Sequence, residues 1–414
     1  MNIKIGIVGA SIAGLACAIK LLKLGFDITV FEKSTEISYA RGAGIMLPHK
    51  LFEDLRQNDL VDENLKYFLM SEFSTFLKQD DGKQKLLTQT KYHNAVTVHW
   101  KSLHDALESK FDKKNCIYGR TIITFNSHVN YVELITDDNM RYEFDYVIFA
   151  DGYNSLARKI LFPEIKVQTV NYIAWRGLLE INKIDSMKLL GYLYNKEYYR
   201  YLYKNGHLLL FPIPNPNASD GDYIINWVLY ENLDASNMHS TKKEELIHNN
   251  FLPGTMPKFY KDYLYTLARE YLPEFPCSII NLTTEPFTQI ISDILLPQYF
   301  VGRIGLIGDA STLFRPHIGS NATKALQDAI MLGNFIEEEY KKTSPDLGEA
   351  FEKWSKSQNE KAQHLFPLAQ ALGKLLVTDV PDLATLDKEH MDELWSSTID
   401  KYRWYGNKNA NLES

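Results

Sequence analysis

Residues 6–34, GIVGASIAGLACAIKLLKLGFDITVFEKS, constrain the fold more than any other stretch of the chain. An apolar strand from Ile3 to Val8 runs into Gly9, and a helix follows with apolar residues at Ile12, Leu15, Ala16, Ile19 and Leu22. A second apolar strand, Ile28 to Phe31, ends at Glu32, eighteen residues after Gly14. Strand, tight turn, helix, strand and acid in this order read as a parallel βαβ unit. The free N–H groups of such a helix N-terminus hold a pyrophosphate, and the acid takes ribose hydroxyls, so the pattern points to a dinucleotide. Gly9 makes the turn, Gly14 lets the helix lie close to the strand, and Ser11, Ile12 and Ala13 complete the cradle, with Lys33 following Glu32. Ser11 stands where the usual pattern has glycine. It is small, and its hydroxyl is expected to cap the helix. Glu32 disfavours a 2′-phosphate on the ribose. An ordinary buried βαβ unit with a strand-end carboxylate is the competing reading of these residues.

Two more glycine turns follow apolar strands. YVIFADGYNSLARK (146–159) supplies Asp151, Gly152, Ser155 and Arg158, and GLIGDASTLFRPHIGSNATKALQDA (305–329) supplies Gly308, Asp309, Pro316, Gly319, Ser320 and a helix beginning near Asn321. Each places an aspartate at the carboxyl end of a strand, where ligands of open α/β sheets collect. A lone Asp-Gly is usually only a turn. Three such turns in this order carry weight together.

Helix and strand patterns alternate to about residue 160, the mark of an α/β layer fold. From about 165 to 295 the texture is β-rich, with GHLLLFPIP (206–214) and DYIINWVLY (222–230) as strand-like runs. YFVGRIGLIGDA (299–310) then reads as one buried strand, and 347–376 as helix with a break near Pro367. GEAFEKWSKSQNEKAQHLF (348–366) reads as a solvated covering helix, with dimer contact as the sharper alternative. The expected architecture is α/β: a Rossmann-like domain from 1–165 and 296–376, a β-rich substrate domain from 166–295, and a helical tail from 377–414. A cleft between the two domains is the default substrate site. At 414 residues the chain suits two closely joined domains. A net charge of −7 supplies no basic field, so neither nucleic acid nor an anionic membrane is an expected partner. Cys17, Cys116 and Cys277 form neither a metal set nor a disulfide framework, which suits a cytoplasmic protein. Residues 3–8 are committed to a strand, so no secretory leader is expected, and no apolar run approaches a membrane span.

The three turns together resemble the FAD-dependent aromatic hydroxylases, the single-component flavoprotein monooxygenases, over nearly the whole chain. The resemblance implies that Gly9, Ser11, Gly14 and Glu32 hold the FAD pyrophosphate and ribose. It implies that Asp151, Gly152, Ser155 and Arg158 serve FAD and the reduced nicotinamide, and that Gly308, Asp309, Pro316 and Gly319 hold ribitol and pyrophosphate. RGAGI (41–45), with Arg41, Gly42 and Gly44, matches a segment that lies against the flavin. VHWKSLHDAL (98–107), YIAWRG (172–177), FPIP (211–214), INWVLY (225–230), GRIGLIGDA (302–310) and RPH (315–317) resemble the subgroup typified by 2,6-dihydroxypyridine hydroxylase. Three positions depart from the wider pattern. Trp100 replaces a cofactor-contacting arginine, Thr312 stands where many relatives have histidine, and Asn321 replaces a glycine beside the flavin, where a side chain is expected to narrow the space before the ring.

The resemblance implies that NADH or NADPH transiently reduces FAD, O2 adds, and a C4a-hydroperoxyflavin transfers one oxygen to a small electron-rich aromatic or heteroaromatic ring. The protein's share is to exclude water, align the substrate and polarise its hydroxyl. His317, His207, Tyr203, Tyr230 and Arg176 are the candidate catalytic residues, with His317 foremost because its segment is expected to cross the flavin face. Packing or surface roles compete at each. Two other readings share the cofactor motifs: a flavin monooxygenase acting on a polycyclic or antibiotic-like molecule, and a flavin-binding redox or partner module without turnover. A monomer or homodimer is expected.

Overall fold

The computed structural model describes residues 3–35, 43–184, 197–217 and 222–400. Two sheets organise the molecule. The first has six strands in the order Phe300–Val301, Ile304–Leu306, Tyr146–Phe149, Lys4–Val8, Asp27–Glu32 and Cys116–Tyr118. All neighbours are parallel except the first pair. Val8 lies opposite both Phe149 and Phe31, and Phe149 lies opposite Leu306. The three strand ends that precede the glycine turns therefore share one row, and the turns emerge side by side at the carboxyl edge of the sheet. The chain leaves Lys4–Val8 toward Asp27–Glu32 on one side and returns to Tyr146–Phe149 on the other. This is the reversal of strand order at which open α/β sheets form their ligand crevice. The helices Ile12–Lys23 and Asn321–Glu339 pack together over this sheet.

The second sheet has nine strands, in the order Thr312–Leu313, Phe287–Leu295, Gln168–Glu180, Tyr223–Asn232, Gly206–Pro214, Tyr198–Tyr203, Phe68–Lys78, Gln84–His99 and Gly44–Pro48. Every pairing is antiparallel except that between Tyr198–Tyr203 and Phe68–Lys78. Because side chains alternate across a strand, Trp175, Tyr201, Leu208, Leu210 and Trp227 face the helices Ser240–His248, Lys258–Tyr271 and Glu274–Leu282. Each large side chain buried there contributes about 2–3 kcal/mol of transfer free energy. The opposite face carries Tyr172, Leu202, Leu209, Val228 and Tyr230, and the C-terminal residues Leu376, Leu386 and Met391 cover part of it. A three-stranded antiparallel sheet, Ile122–Ser127, Val132–Thr136 and Arg141–Phe144, completes the strands among the described residues.

The structure departs from the expected organisation at three places. Residues 44–99, assigned above to the first domain, give three strands to the nine-stranded sheet, because the parallel pairing with Tyr198–Tyr203 extends its edge. The stretch 299–310 is a hairpin rather than one strand: Gly302, at φ 62°, turns Phe300–Val301 back onto Ile304–Leu306. Pro367 does not break its helix, which runs Leu347–Gly373. Leu368, Ala369 and Leu372 are buried beyond it, so packing offsets the bond that proline removes. This helix also buries Phe351 and Trp354, and is a core element along one face rather than a simple cover.

Candidate active site

Gly14 shows why the first turn needs glycine. A Cβ there would sit 1.8 Å from the Gly9 carbonyl oxygen. Gly9 has φ 106°, and the side chains of Ile12 and Ala13 are buried in the core, so only their backbone is left to the cradle. Ser11 occupies the N-cap position at φ −77°, a conformation open to any residue. Its hydroxyl makes no capping hydrogen bond, contrary to expectation, and the position requires only a small, exposed side chain. The first turn of the helix carries no acid, so its positive end is uncompensated. The Glu32 carboxylate accepts from the N–H of Ala10 and of Ser34, each at 2.9 Å, and retains lone pairs for further donors. Lys33 beside it is exposed.

Arg158 ties the second and third turns together. It is 1% exposed and donates to the carbonyls of Ala310 at 3.0 Å, Asp309 at 3.3 Å and Tyr153. Asp151 accepts from the Leu156 N–H at 2.8 Å through one oxygen, while its other oxygen is buried without a partner. Burial raises its pKa. Burial likewise pushes the Asp309 carboxyl up to about 6, against the charges of Lys324 and Arg158. The Gly308 N–H donates to Asp328, which Lys324 neutralises. Gly152 and Gly319 have positive φ, as the turns need, and Pro316 opens the short helical turn that Gly319 ends. The Ser320 hydroxyl bonds the Ile318 carbonyl.

Trp100 begins the helix Trp100–Lys110 and stacks on His104 at 5.2 Å, and His104 Nε2 bonds the Ala10 carbonyl at 3.0 Å. The aromatic pair is thereby anchored to the first glycine turn. Asn321 turns back on its own loop. Its amide is spent on the Phe314 backbone, accepting from the N–H at 2.9 Å and donating to the carbonyl at 2.8 Å. Gly44 donates to Asn226 Oδ1 at 2.9 Å, and a Cβ there would meet Ile213 and Phe211 at 2.8 Å. Arg41 and Gly42 lie outside the described residues.

The catalytic candidates divide between the two faces of the large sheet. Tyr203 lies on the helix-covered face, donates to the Tyr230 carbonyl and stacks on Tyr271, so it does not join the others. His207, Tyr230 and His317 cluster on the opposite face: Tyr230 lies 4.8 Å from each histidine ring, and the two histidines are 5.4 Å apart. Tyr172 bonds His317 Nε2 at 2.9 Å. Arg176 shares that face, and its charge acts on Tyr230, whose hydroxyl burial pushes up to about 12.

The hydrogen bonds assign the ring protons. His207 Nδ1 meets the Leu376 carbonyl at 3.1 Å, and a carbonyl only accepts, so Nδ1 carries hydrogen and Nε2 is bare. Arg315, paired with Asp293, also reaches the Tyr172 hydroxyl. His317 Nε2 and the Tyr172 hydroxyl share one hydrogen, and in the arrangement where the Tyr172 O–H donates, Nδ1 carries the ring hydrogen. Burial, reinforced by the neighbouring charge of Arg200, lowers the His207 pKa well below its ordinary value and brings that of His317 to about 3. Both rings are neutral near pH 7. Sequence reasoning missed Tyr172, Asn226 and Arg200; the last was marked as the one charge inside the buried strand YYRYLY. An open cleft of about 600 Å³, lined by Pro297, Val301, Lys356 and Asn359, contains none of these residues.

A helix N-terminus free of acid, a ribose-height glutamate, a packed glycine cradle and a buried unpartnered Asp151 oxygen together fit FAD. Comparison with known proteins agrees. Residues 7–44 match a family model described as an NAD(P)-binding Rossmann-like domain, and 169–293 one described as FAD binding domain-like. The chain is 24% identical to 2,6-dihydroxypyridine 3-monooxygenase of Paenarthrobacter nicotinovorans, covering 86% of this chain and 87% of that protein. The solved structure of 2,6-dihydroxypyridine-3-hydroxylase from Arthrobacter nicotinovorans superposes with a TM-score of 0.80 at 20% identity, over 94% of this chain and 96% of the other. A Klebsiella pneumoniae protein solved with FAD and uric acid gives 0.72 at 17% identity, over 97% and 92%. Among the described residues no helix is long and apolar enough to cross a membrane.

Proposed function

We propose that this chain, which belongs to the FAD-dependent monooxygenase family, uses NAD(P)H and O2 to hydroxylate a small electron-rich aromatic or heteroaromatic ring. The observation that carries the reading is the row of three glycine turns at one sheet edge, joined by Arg158, beside a buried His–Tyr–His cluster on the adjoining sheet. Bound FAD supplies the activation of O2 after reduction. Gly9, Gly14 and Glu32 would hold its pyrophosphate and ribose, and Asp151, Arg158 and Asp309 the remainder.

The remaining work falls to the chain's own groups. His207 Nε2, a bare lone pair, accepts from a substrate hydroxyl and raises electron density in its ring. Its depressed basicity means that it polarises the O–H rather than stores the proton. We assign His317 the tautomer in which Nε2 accepts from the Tyr172 hydroxyl, so that Nδ1 donates to a substrate oxygen. The enclosing aromatic rings exclude water. This division of roles is our assignment, as are a cytoplasmic setting, which the unpaired cysteines support, and action as a monomer or homodimer.

The test is a screen of hydroxylated aromatics and heteroaromatics against the FAD-loaded protein. At least one compound should accelerate NAD(P)H oxidation and yield a product heavier by one oxygen. Oxidation that no compound changes, with peroxide as the sole product, would overturn the reading.

A further inference from the structure

A buried ion pair stands directly behind the third glycine turn. Lys324 and Asp328, one helical turn apart in Asn321–Glu339, are both buried. The Gly308 N–H donates to Asp328 Oδ2 at 2.9 Å, and Lys324 Nζ donates to the Gly308 carbonyl at 3.3 Å. The pair therefore holds both backbone groups of the residue whose positive φ makes the turn. Lys324 also donates to Ser311 Oγ at 2.8 Å and to Asp328 itself, and the Ser311 hydroxyl donates to the Gly308 carbonyl at 2.9 Å. The Tyr299 ring lies 4.6 Å from the ammonium. An ammonium has three hydrogens and these make three bonds, so Lys324 keeps none for a ligand.

Asp309, next after Gly308, is the opposite case. It is only partly buried, and among the described residues nothing donates a hydrogen bond to its carboxylate. Burial opposes its charge. Lys324 favours that charge most, Arg158 from the helix Leu156–Leu161 less, and Asp328 works against both. Two further charges complete the group: Asp151 of the second turn faces Arg158, and Lys361 on the helix Leu347–Gly373 faces Asp328. Asp151 and Asp328 each accept a backbone N–H, from Leu156 and Gly308. Asp309 accepts none, so of the three carboxyls its charge rests most on its neighbours. A buried ion pair seldom improves on apolar packing of the same volume. This one is placed where its field sets the charge of an acceptor open to the crevice.

We propose that Lys324 is a positioning residue of the cofactor site: it fixes the turn at Gly308 and keeps the Asp309 carboxylate charged, so that retention of FAD depends on one proton. The charged carboxylate accepts from hydroxyl groups of the cofactor, and protonation takes that lone pair away. FAD is therefore held at neutral pH and released on acidification. The proposal rests on the FAD-dependent reading and deepens it by naming a regulation of the same site.

Retention is the readout, and no turnover is needed. FAD-loaded protein is equilibrated at values from about pH 5 to 8.5 and ultrafiltered, and flavin fluorescence of the filtrate gives the Kd. Burial pushes the Asp309 carboxyl up to about 6, so the wild-type Kd should be flat above pH 7 and about tenfold higher at pH 5. Asp309→Asn should weaken retention at neutral pH and abolish the pH dependence. Lys324→Met should move the midpoint up by about one pH unit or more. Asp328→Asn keeps an acceptor for the Gly308 N–H but removes the opposing charge, and should move the midpoint down. A purely structural pair would weaken retention in both variants without displacing the midpoint in opposite directions. The near-isosteric Asp309→Asn and Asp328→Asn carry the test if Lys324→Met does not fold. A Kd that does not rise on acidification, a rise that survives in Asp309→Asn, or a midpoint that fails to fall in Asp328→Asn would each overturn the proposal. FAD bound with a pH-independent Kd would overturn this proposal alone, whereas no FAD binding at any pH would overturn the monooxygenase reading as well.

Discussion

Replacing Arg158 with methionine tests whether the second and third glycine turns form one cradle. The guanidinium is 1% exposed and reaches three carbonyls, two through a shared nitrogen. A hydrogen bond from a charged donor contributes about 1.5–3 kcal/mol, and a buried acceptor left unpaired costs about 1–3 kcal/mol. Release of the buried guanidinium, whose pKa burial already lowers, offsets part of that loss. The balance is a destabilisation of about 3 kcal/mol. A chain of 414 residues has an unfolding entropy near 0.9 kcal/mol/K, so Tm should fall by only about 3–4 °C. Cofactor affinity is the more sensitive measure. If about half the loss falls on the closed form of the two loops, the FAD Kd rises about tenfold. Titrating apoprotein with FAD by flavin fluorescence, beside melting curves of both forms, measures the two effects separately. An FAD Kd within twofold of wild type would refute the argument. Arg158→Lys should recover little, since one ammonium cannot reproduce the fork.

Gly14→Ala places a methyl group against the Gly9 carbonyl, a backbone overlap that the helix relieves only by lifting from its strand; the protein should express poorly or purify without FAD, and a yellow, fully loaded variant would count against this. His317→Ala should retain FAD and release more peroxide per NAD(P)H consumed, and coupling equal to wild type would move the search to His207. Asn321→Gly loses both bonds to Phe314 and should lower Tm, with little change in which compounds bind; an altered substrate range would instead support a gating role for this side chain. The Glu231 carboxyl, buried with Trp175 and Tyr263, is pushed up from 4.5 to about 7, so the folded state holds a proton that the unfolded chain has released. Stability should therefore decline as pH rises from about 4.5 to 7 and level off above. Melting curves of Glu231→Gln should show most of that slope gone, leaving a smaller share from Asp309; an unchanged slope would reject the assignment.

The glycine turns were legible because each is a local event: an apolar strand, a positive-φ glycine and a helix within a few residues. The strand-like runs 206–214 and 222–230 were legible for the same reason, the second running to Asn232 in the structure. What escaped the sequence depends on distant partners. Nothing within Phe68–Lys78 says that it pairs with Tyr198–Tyr203, and Pro367 breaks a helix only where packing does not hold both halves. Side-chain roles showed the same limit. Ser11 and Asn321 occupy their expected places, but whether a hydroxyl caps or an amide turns back is decided by atoms not adjacent in sequence. Tyr203 and His207 are four residues apart across a hairpin turn, yet they face opposite sides of the sheet.

The parallel pairing of Tyr198–Tyr203 with Phe68–Lys78 also sets the order in which the chain can be completed during synthesis. Of the nine-stranded sheet, the three strands within residues 44–99 emerge from the ribosome first, with the edge at Phe68–Lys78 unpaired. Its partner follows roughly a hundred residues later, which at typical elongation rates is a wait of about 5–20 s. During that interval a strand rich in phenylalanine presents open backbone groups to any other nascent strand. Yield in cells should accordingly depend on chaperone capacity and growth temperature, even for variants whose finished fold is as stable as the wild type.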